Sequence, residues 1–345
     1  MKAAQLTGLR QMEIRDVTDP EIAADDDVLI RMGAVGVCGS DVHYYETGNL
    51  GGRHVEYPFS VGHEGSGTVA AVGPAVTRVR PGDRVAVEPA IVCGACDQCR
   101  AGRPNTCRKI RFLGCPGEAA GCLSERLVMP ERNCFPIPDG MSLETAAFCE
   151  PLSIGIYAAD RSVELAGATA VILGAGPIGL SVMAAARTRG PKAIYATDKI
   201  DARLAVAGAA GAAWTGNPDR QDVVAAIRAQ EPLGVDVVFE CCGRQEAIDQ
   251  AVQLLKPGGK LVVLGIPEVE RYTIDTTAFR HNELTLFYVR RQNERVSAAL
   301  ELAGSGRLDV TPFVTHRFPL ARAAEAFELV SAYRDGVVKA MILME

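Results

Sequence analysis

The pattern of hydrophobic and polar residues differs between the first part of the chain and the middle. In the first 150 residues, short apolar runs are bounded by Gly, Pro and Asp, and we predict strands at Val28–Met32, Gly67–Val72 and Arg84–Val87. Pro81-Gly82-Asp83 predicts a turn, because proline presets φ and glycine accepts a positive value. This pattern predicts an irregular, mostly antiparallel β domain.

From about residue 153, apolar runs of strand length alternate with segments of helix length. We predict strands at Thr169–Leu173, Ala193–Thr197, Val235–Glu240 and Lys260–Leu264, and helices at Ile178–Arg189, Asp201–Ala210 and Gln245–Leu255. Pro257-Gly258-Gly259 predicts a turn before the last of these strands. Regular βα alternation predicts an α/β fold with a doubly wound parallel sheet over residues 153–288. A helix at Glu294–Ala303 then begins a mixed segment, and we assign 289–345 to the same domain as 1–152.

Composition and charge narrow the class of protein. The chain has 345 residues, of which 48% are hydrophobic, as expected for a globular protein of about two domains. Its net charge of −6 argues against nucleic acid and against an anionic membrane surface as partners. The first residues form no long apolar segment, and glycines interrupt the uncharged stretch Ala168–Ala186, so neither a secretory signal nor a membrane span is predicted. Eleven cysteines without a signal indicate a reducing compartment, which predicts a cytoplasmic protein.

Four cysteines are clustered with the spacing C-x2-C-x2-C-x7-C: Cys93, Cys96, Cys99 and Cys107. A thiolate quartet of this kind can surround one soft cation, most often zinc, and it leaves no open position for a substrate. An iron–sulfur cluster is the alternative, which is disfavoured because the bacterial x3-Cys-Pro ending is absent. A zinc ribbon on nucleic acid is disfavoured by the net charge. Six further cysteines lack ligand spacing and are predicted to lie in the core: Cys115, Cys122, Cys134, Cys149, Cys241 and Cys242.

The segment Gly174-Ala175-Gly176-Pro177-Ile178-Gly179 lies between a predicted strand and a predicted helix, which is the context of a dinucleotide-binding turn. Its glycines would form the turn, let pyrophosphate approach and let helix and strand pack closely. Pro177 suits a first helical turn, whose free N–H groups attract phosphate. Asp198 ends the next strand and would bind both ribose hydroxyls, which favours NAD over NADP. Arg203 could cover the adenine or neutralise a 2′-phosphate, and a helix N-cap is the alternative role of Asp198.

Other potential metal ligands stand apart from the cysteine quartet: Cys38, His63, Glu64 and Glu150. A catalytic zinc takes about three protein ligands and keeps one position open. A structural role for His63 is the alternative, since a single histidine is more often a structural residue.

Taken together, the motifs resemble the zinc-dependent medium-chain alcohol dehydrogenases. The segments that carry the resemblance are Gly36–His43, Gly62–Gly67, the cysteine quartet and the glycine motif. Cys38–Tyr44, Glu150–Gly155 and Val314–Leu320 look most like the sorbitol, or polyol, dehydrogenase branch. The resemblance implies a GroES-like catalytic domain with a structural zinc lobe near residues 90–110, a Rossmann NAD-binding domain and a homotetramer or homodimer. It also implies two zinc ions per chain, one catalytic and one structural.

The resemblance further assigns roles to individual residues. Cys38, His63 and a carboxylate would hold the catalytic zinc, with one of Glu64 and Glu150 binding directly and the other through water. Ser40 and His43 resemble the relay that carries the alcohol proton to solvent. The positions that match the substrate site are Tyr44, Phe112, Glu150, Arg290 and Arg291, the last two replacing the usual Arg-Tyr pair. Those that match cofactor contacts are Gly174, Gly176, Pro177, Ile178, Gly179, Asp198, Arg203, Leu264, Gly265, Ile266, Tyr288, Val289 and Arg290.

The function that the resemblance implies is hydride transfer from a secondary hydroxyl of a polyol, such as sorbitol or xylitol, to NAD⁺, giving a ketose. Butanediol, threonine and other secondary-alcohol dehydrogenases are alternatives within the family. The Glu150-Pro151 pair favours polyols, because the threonine branch resembles an Asp-Pro sequence there. A non-catalytic NAD-binding sensor is an alternative of another class, and the ligand and relay residues argue against it.

Overall fold

The computed structural model describes residues 1–267 and 269–344. The chain divides into two compact units, one of Met1–Glu150 with Val296–Glu345 and the other of Pro151–Arg295. Among the helices described, none has both the length and the hydrophobicity that crossing a membrane requires.

The elements before residue 161 are mostly short strands. The strands are β1 (Lys2–Gly8), β2 (Gln11–Asp16), β3 (Asp27–Gly36), β4 (Asn49–Leu50), β5 (Arg53–His54), β6 (Phe59–Ser60), β7 (Glu64–Val72), β8 (Arg84–Val87), β9 (Ala90–Ile91), β10 (Arg111–Phe112), β11 (Arg126–Pro130) and β12 (Cys134–Pro136). The helices are α1 (Gly39–Thr47), α2 (Asp97–Arg100) and α3 (Leu143–Asp160), with 3₁₀ turns at Pro104–Thr106 and Glu131–Asn133.

The rest of the chain alternates strands and helices and then returns to the first unit. The second unit contains β13 (Thr169–Leu173), α4 (Pro177–Arg187), β14 (Ala193–Thr197), α5 (Asp201–Ala209), β15 (Trp214–Gly216), α6 (Val223–Gln230), β16 (Val235–Glu240), α7 (Gln245–Leu254), β17 (Leu255–Val263), α8 (Thr276–His281) and β18 (Thr285–Tyr288). The returning segment contains α9 (Val296–Gly304), β19 (Val314–Pro319), α10 (Ala323–Ser331) and β20 (Lys339–Leu343), with 3₁₀ turns at Thr311–Phe313 and Leu320–Arg322.

The first unit is built on a sheet with the strand order β12-β8-β7-β3-β20-β19, in which β11 also pairs with β3. All its pairs are antiparallel except β19 with β20. Residues of β3 alternate between buried and less buried positions, with Val28 and Ile30 fully buried, because one face of the strand covers the core. The antiparallel β domain predicted from the sequence is therefore confirmed.

The second unit has a fully parallel sheet with the order β15-β14-β13-β16-β17-β18. Every residue of β13 is buried, as expected for a strand covered by helices on both faces. The strand order reverses between the adjacent strands β13 and β16. In doubly wound folds the ligand binds at this point, outside the carboxyl ends of the strands.

Several predicted boundaries shift by a few residues. Strands β13, β14 and β16 cover the residues predicted for them, whereas α4 ends two residues early, at Arg187. The predicted turn at Pro257–Gly259 is an irregularity inside β17, where the pairing moves from Val235 with Leu255 to Val237 with Lys260. Helix α9 begins at Val296 because Glu294 has a φ of 54°, which a helix does not allow.

Candidate metal centres and dinucleotide site

Three potential metal ligands meet where two paired strands of the first unit end. Gly36, the last residue of β3, pairs with Glu64, the first residue of β7. Cys38 follows β3 and caps α1, and His63 directly precedes β7. Ligand atoms of Cys38, His63 and Glu64 all lie within 4.8 Å of one another. Thiolate, imidazole and carboxylate together are a donor set that zinc accepts, and three ligands leave a position open.

Gly36 makes this arrangement possible. A Cβ atom at Gly36 would collide with Oε2 of Glu64, the residue paired with it. Only glycine leaves room for this carboxylate beside the end of β3. The side chain of Glu64 is consequently buried, with a relative exposure of 1%.

A lysine that the sequence analysis did not predict holds Glu64. Nζ of Lys339, on β20, lies 2.7 Å from both carboxylate oxygens of Glu64 and donates to the carbonyl oxygen of Val37 at 3.0 Å. Burial lowers the pKa of Lys339, but the charges of Glu64 and Cys38 outweigh it, and the pKa is raised. The lysine is therefore charged, and its three N–H donors match three acceptors.

Asp41 supports both Cys38 and His63 and was also missed. Its Oδ2 accepts the N–H of Cys38 at 3.2 Å, and its Oδ1 accepts the N–H of Gly62 at 3.1 Å. Oδ1 also lies 3.3 Å from Nδ1 of His63, without hydrogen-bond geometry, and this buried nitrogen has no partner among the described residues. Burial lowers the pKa of His63, but the charges of Asp41 and Cys38 raise it well above its usual value. The pocket therefore attracts a cation, and its residues fit a zinc ion.

Glu150 stands apart from the three ligands that approach one another. It is buried in α3, directly before Pro151, and among the described residues it does not join the group within 4.8 Å. Burial raises the pKa of Glu150 to about 8. The charges of His63 and Lys339 oppose this rise, and the charges of Glu64 and Glu88 add to it. The geometry favours Glu64 as the nearer carboxylate.

The residues predicted to contact substrate or to relay the proton lie in both units. Ser40 and His43 are both partly exposed and lie three residues apart on α1, which places them on one helical face. Tyr44 is buried, with its hydroxyl 3.7 Å from Sγ of Cys115, and burial raises its pKa. The ring of Phe112 lies 5.1 Å from that of His63. Arg290, exposed, and Arg291, with a φ of 54°, follow β18 in the second unit.

The cysteine quartet forms a second cluster around α2. The Sγ–Sγ distances are 3.5 Å for Cys96–Cys99, 3.9 Å for Cys96–Cys107 and 3.5 Å for Cys93–Cys107. A tetrahedral zinc with Zn–S bonds of 2.3 Å requires about 3.8 Å between sulfurs. Backbone N–H groups of Cys99 and Arg108 lower the pKa of Cys96 to about 6, which favours the thiolate. These cysteines fit a zinc ion with four protein ligands.

The glycine motif has the geometry that a dinucleotide requires. Gly174 turns the chain with a φ of 98°, and Gly176 is the N-cap of α4, whose first residue is Pro177. A Cβ atom at Gly179 would collide with the carbonyl oxygen of Gly174, so close packing of helix and strand requires a glycine there. Ile178 lies in the first turn of α4, where free N–H groups can face phosphate.

Asp198 and Arg203 both adjoin this turn. Oδ2 of Asp198 accepts the N–H of Ala175 at 2.8 Å, and Oδ1 accepts the N–H of Ile200 at 2.8 Å. The N-cap of α5 is Ile200, so Asp198 is not the cap of that helix. A Cβ atom at Gly176 would lie 3.4 Å from Nη1 of Arg203. The structure thus brings both predicted side chains to the glycine motif.

The other predicted cofactor residues follow the carboxyl ends of β17 and β18. Leu264, Gly265 and Ile266 come directly after β17, while Tyr288 ends β18 and Val289 donates its N–H to Val263 at 2.9 Å. The buried residue Glu240, at the end of β16, was missed because a carboxylate at a strand end carries no distinctive spacing.

The prediction that all six remaining cysteines lie in the core is wrong for two of them. Cys115, Cys122, Cys134 and Cys149 are buried, but Cys241 is partly exposed and Cys242 is exposed. These two residues follow the end of β16 and form part of the turn beyond it.

The fold and the donor sets define a class of metal- and dinucleotide-dependent dehydrogenases, and comparison with known proteins agrees. Residues 24–139 match the alcohol dehydrogenase GroES-like domain family, and residues 177–305 match the zinc-binding dehydrogenase family. The chain belongs to the zinc-dependent medium-chain dehydrogenases, and it is an oxidoreductase. The predicted fold class, a Rossmann domain with a GroES-like domain, is confirmed.

Similar proteins cover nearly the whole chain. The sorbitol dehydrogenase of Bacillus subtilis is 37% identical over 99% of this chain and 97% of its own length. The L-idonate 5-dehydrogenase of Vitis vinifera is 38% identical over 98% and 93%, respectively. Among solved structures, an Escherichia coli oxidoreductase/dehydrogenase of unknown specificity superposes with a TM-score of 0.93 at 32% identity, covering 100% of this chain and 99% of that one.

Proposed function

We propose that this protein oxidises a secondary hydroxyl group of a polyol with NAD⁺ and releases a ketose. The observation that carries the proposal is the cluster of Cys38, His63 and Glu64, with Glu150 as a further buried carboxylate. Two similar proteins are named for sorbitol and for L-idonate, which are both polyhydroxylated. Threonine oxidation is less favoured, because Glu150 precedes Pro151 where the threonine branch resembles an Asp-Pro pair. Butanediol oxidation stays the alternative that the substrate panel below tests.

The residues of the first unit bind and orient the substrate. Cys38, His63 and Glu64 would hold a zinc ion, which when bound lowers the pKa of a hydroxyl group. Ser40 would accept the alcohol proton while donating its own hydroxyl proton to His43, on the same face of α1, and His43 would release a proton to solvent. Tyr44 and Phe112 shape the apolar side of the site, next to His63.

The residues of the second unit bind the cofactor, whose nicotinamide accepts the hydride. The glycine motif holds the pyrophosphate at the N-terminus of α4. Asp198, already fixed by the N–H of Ala175, accepts hydrogen bonds from the adenosine ribose and repels a 2′-phosphate, so NAD is the cofactor. Arg203 covers the adenine. Arg290 and Arg291 donate hydrogen bonds to polyol oxygens.

The remaining assignments concern the second metal, the bounds of the catalytic domain, the cellular location and the oligomeric state. Cys93, Cys96, Cys99 and Cys107 hold a structural zinc, which gives two zinc ions per chain, and 1–152 with 289–345 is the catalytic domain. The protein is a cytoplasmic homotetramer or homodimer that binds neither nucleic acid nor membranes.

A substrate panel with both cofactors tests the proposal. Sorbitol, xylitol, galactitol, L-idonate, 2,3-butanediol and L-threonine are each offered with NAD⁺ and with NADP⁺, and reduction is followed at 340 nm. We expect the highest kcat/KM for a polyol with NAD⁺. A preference for butanediol or threonine would contradict the substrate class, and binding of NAD⁺ without turnover of any alcohol would support the sensor alternative.

A further inference from the structure

A buried carboxylate stands at the edge of the parallel sheet where the cofactor is expected. Glu240 is the last residue of β16, and its relative exposure is 0%. Its Oε1 accepts the N–H groups of Cys242 at 2.8 Å and of Gly243 at 2.6 Å. Its Oε2 is buried and has no hydrogen-bond partner among residues 1–267 and 269–344. Leaving such an oxygen unsatisfied costs free energy, so its retention requires a reason.

Glu240 also connects the two loops that follow β16 and β17. Its carbonyl oxygen accepts the N–H groups of Leu264 at 2.8 Å and of Gly265 at 3.1 Å. A Cβ atom at Gly265 would lie 2.6 Å from Oε2 of Glu240, and one at Gly243 would collide with the carbonyl oxygen of Ile266. The glycines therefore allow both loops to close around the carboxylate. Leu264, Gly265 and Ile266 are predicted cofactor contacts.

The topology indicates which half of a dinucleotide lies near this carboxylate. In this fold the ligand crosses the carboxyl edge of the sheet at the reversal of strand order, with one mononucleotide on each side. The glycine motif follows β13 and Asp198 follows β14, which places the adenosine half over β13–β15. The nicotinamide half then lies over β16–β18, on the side of Glu240.

The charge of Glu240 is not neutralised within the described part of the chain. No ammonium or guanidinium group there forms an ion pair with it. Its neighbours are the backbone N–H groups of Cys242 and Gly243 and the thiol of Cys242, whose pKa is raised by burial and by the charge of Glu240. The nicotinamide ring carries a positive charge in NAD⁺ and none in NADH. A fixed negative charge nearby therefore stabilises the oxidised cofactor more than the reduced one.

We propose that Glu240 is a positioning residue that ties the two loops together and whose charge favours binding of NAD⁺ relative to NADH. The inference rests on the proposed NAD-linked function. At an effective dielectric constant of about 20, we expect removal of the charge to change the ratio of the two dissociation constants on the order of tenfold. Such a bias would reduce the competition of NADH with NAD⁺ for the free enzyme.

The test measures dissociation constants of NAD⁺ and NADH for the purified, zinc-loaded enzyme by isothermal titration calorimetry. Glu240→Gln, which keeps the shape and removes the charge, should weaken NAD⁺ on the order of tenfold relative to NADH. Glu240→Asp keeps the charge and should keep the parental ratio even where both affinities fall. Glu246→Gln is the matched control, because it removes one charge from an exposed position on α7 and should leave the ratio unchanged.

Each other result counts against the inference. If Glu240→Gln loses the same affinity for both cofactors, or loses none, the charge does not discriminate between NAD⁺ and NADH. A shift of the ratio in Glu240→Asp as large as in Glu240→Gln would assign the effect to shape. If Glu240→Gln does not fold, Glu240→Ser, whose hydroxyl can still accept a backbone N–H, replaces it in the same comparison. A parent enzyme that binds neither cofactor would instead refute the proposed function.

Discussion

Replacing Lys339 with methionine would leave the carboxylate of Glu64 buried without its cation. The ammonium group makes three hydrogen bonds, at 2.7, 2.7 and 3.0 Å, and both side chains have a relative exposure of 1%. Removing one partner of a buried ion pair costs about 3–5 kcal/mol, because the remaining charge loses its compensation. Methionine matches the length of the stem and fills the apolar part of the space, so the loss reflects the charge.

The assay compares thermal unfolding of the metal-free parent and variant. Lys339 belongs to the unit of Met1–Glu150 with Val296–Glu345. In a unit of that size, a loss of about 3 kcal/mol lowers the melting temperature by roughly 6–12 °C. Lys260→Met is the matched control, since Lys260 also lies on a strand but pairs with no carboxylate among the described residues. Its ammonium group donates to the carbonyl oxygen of Ser162, at 3.3 Å, and lies 5.6 Å from the centre of the Phe287 ring. We expect a loss below about 1 kcal/mol for it. Zinc content is measured in parallel, because a bound cation would compensate Glu64 and reduce the loss.

A double variant separates the ion pair from other effects of the substitution. Lys339→Met with Glu64→Gln removes both charges, so it should recover much of the stability that Lys339→Met alone loses. The reasoning would be refuted if metal-free Lys339→Met melted within about 2 °C of the parent, or if the double variant were as unstable as the sum of both single changes.

Three further predictions concern other parts of the molecule. Cys38→Ser should retain one zinc ion per chain by metal analysis and lose polyol oxidation, whereas retained activity would contradict the assignment. Asp198→Ala should reduce the ratio of kcat/KM with NAD⁺ to that with NADP⁺ by more than tenfold, and an unchanged ratio would remove its role. Tyr45→Phe removes a buried hydroxyl that donates to Glu328, and it should cost about 1–2 kcal/mol at pH 7 in denaturant unfolding. This hydrogen bond lowers the pKa of Glu328. The loss of stability in Tyr45→Phe should therefore be complete above about pH 4.3 and should shrink as the pH falls through the lowered pKa. A loss of stability that grows in acid would contradict this prediction.

Four of the six strands described in the parallel sheet were predicted, because they are short and mostly apolar runs, whereas β15 and β18 were not predicted. β13 and β16 have the predicted bounds, since each run ends where a polar or glycine-rich turn begins. The predicted boundary at Glu294 failed because the left-handed conformation of that residue depends on how the chain enters α9, which hydrophobic periodicity does not encode.

The candidate ligands of the first metal centre could be predicted from local sequence, whereas the residues that position those ligands were missed. Cys38, His63 and Glu64 were predicted from short motifs, whereas Lys339 lies 275 residues from Glu64 and meets it only through the pairing of β20 with β3. Asp41 could have been predicted, because it lies at the third helical position after Cys38, where an acidic side chain can accept the N–H of the N-cap residue.

Lys339 would also allow the proposed ligand set, which contains a carboxylate, to remain effective in acid–base chemistry. One thiolate, one neutral imidazole and one carboxylate would cancel the double positive charge of a zinc ion. The ammonium group of Lys339, at 2.7 Å from both oxygens of Glu64, offsets the carboxylate. About one positive charge then remains for the open position, and a positive charge is what lowers the pKa of a bound hydroxyl group. In the cysteine quartet four thiolates would outweigh the charge of a zinc ion and would fill every position, so a zinc ion held there would stabilise the lobe without activating a substrate.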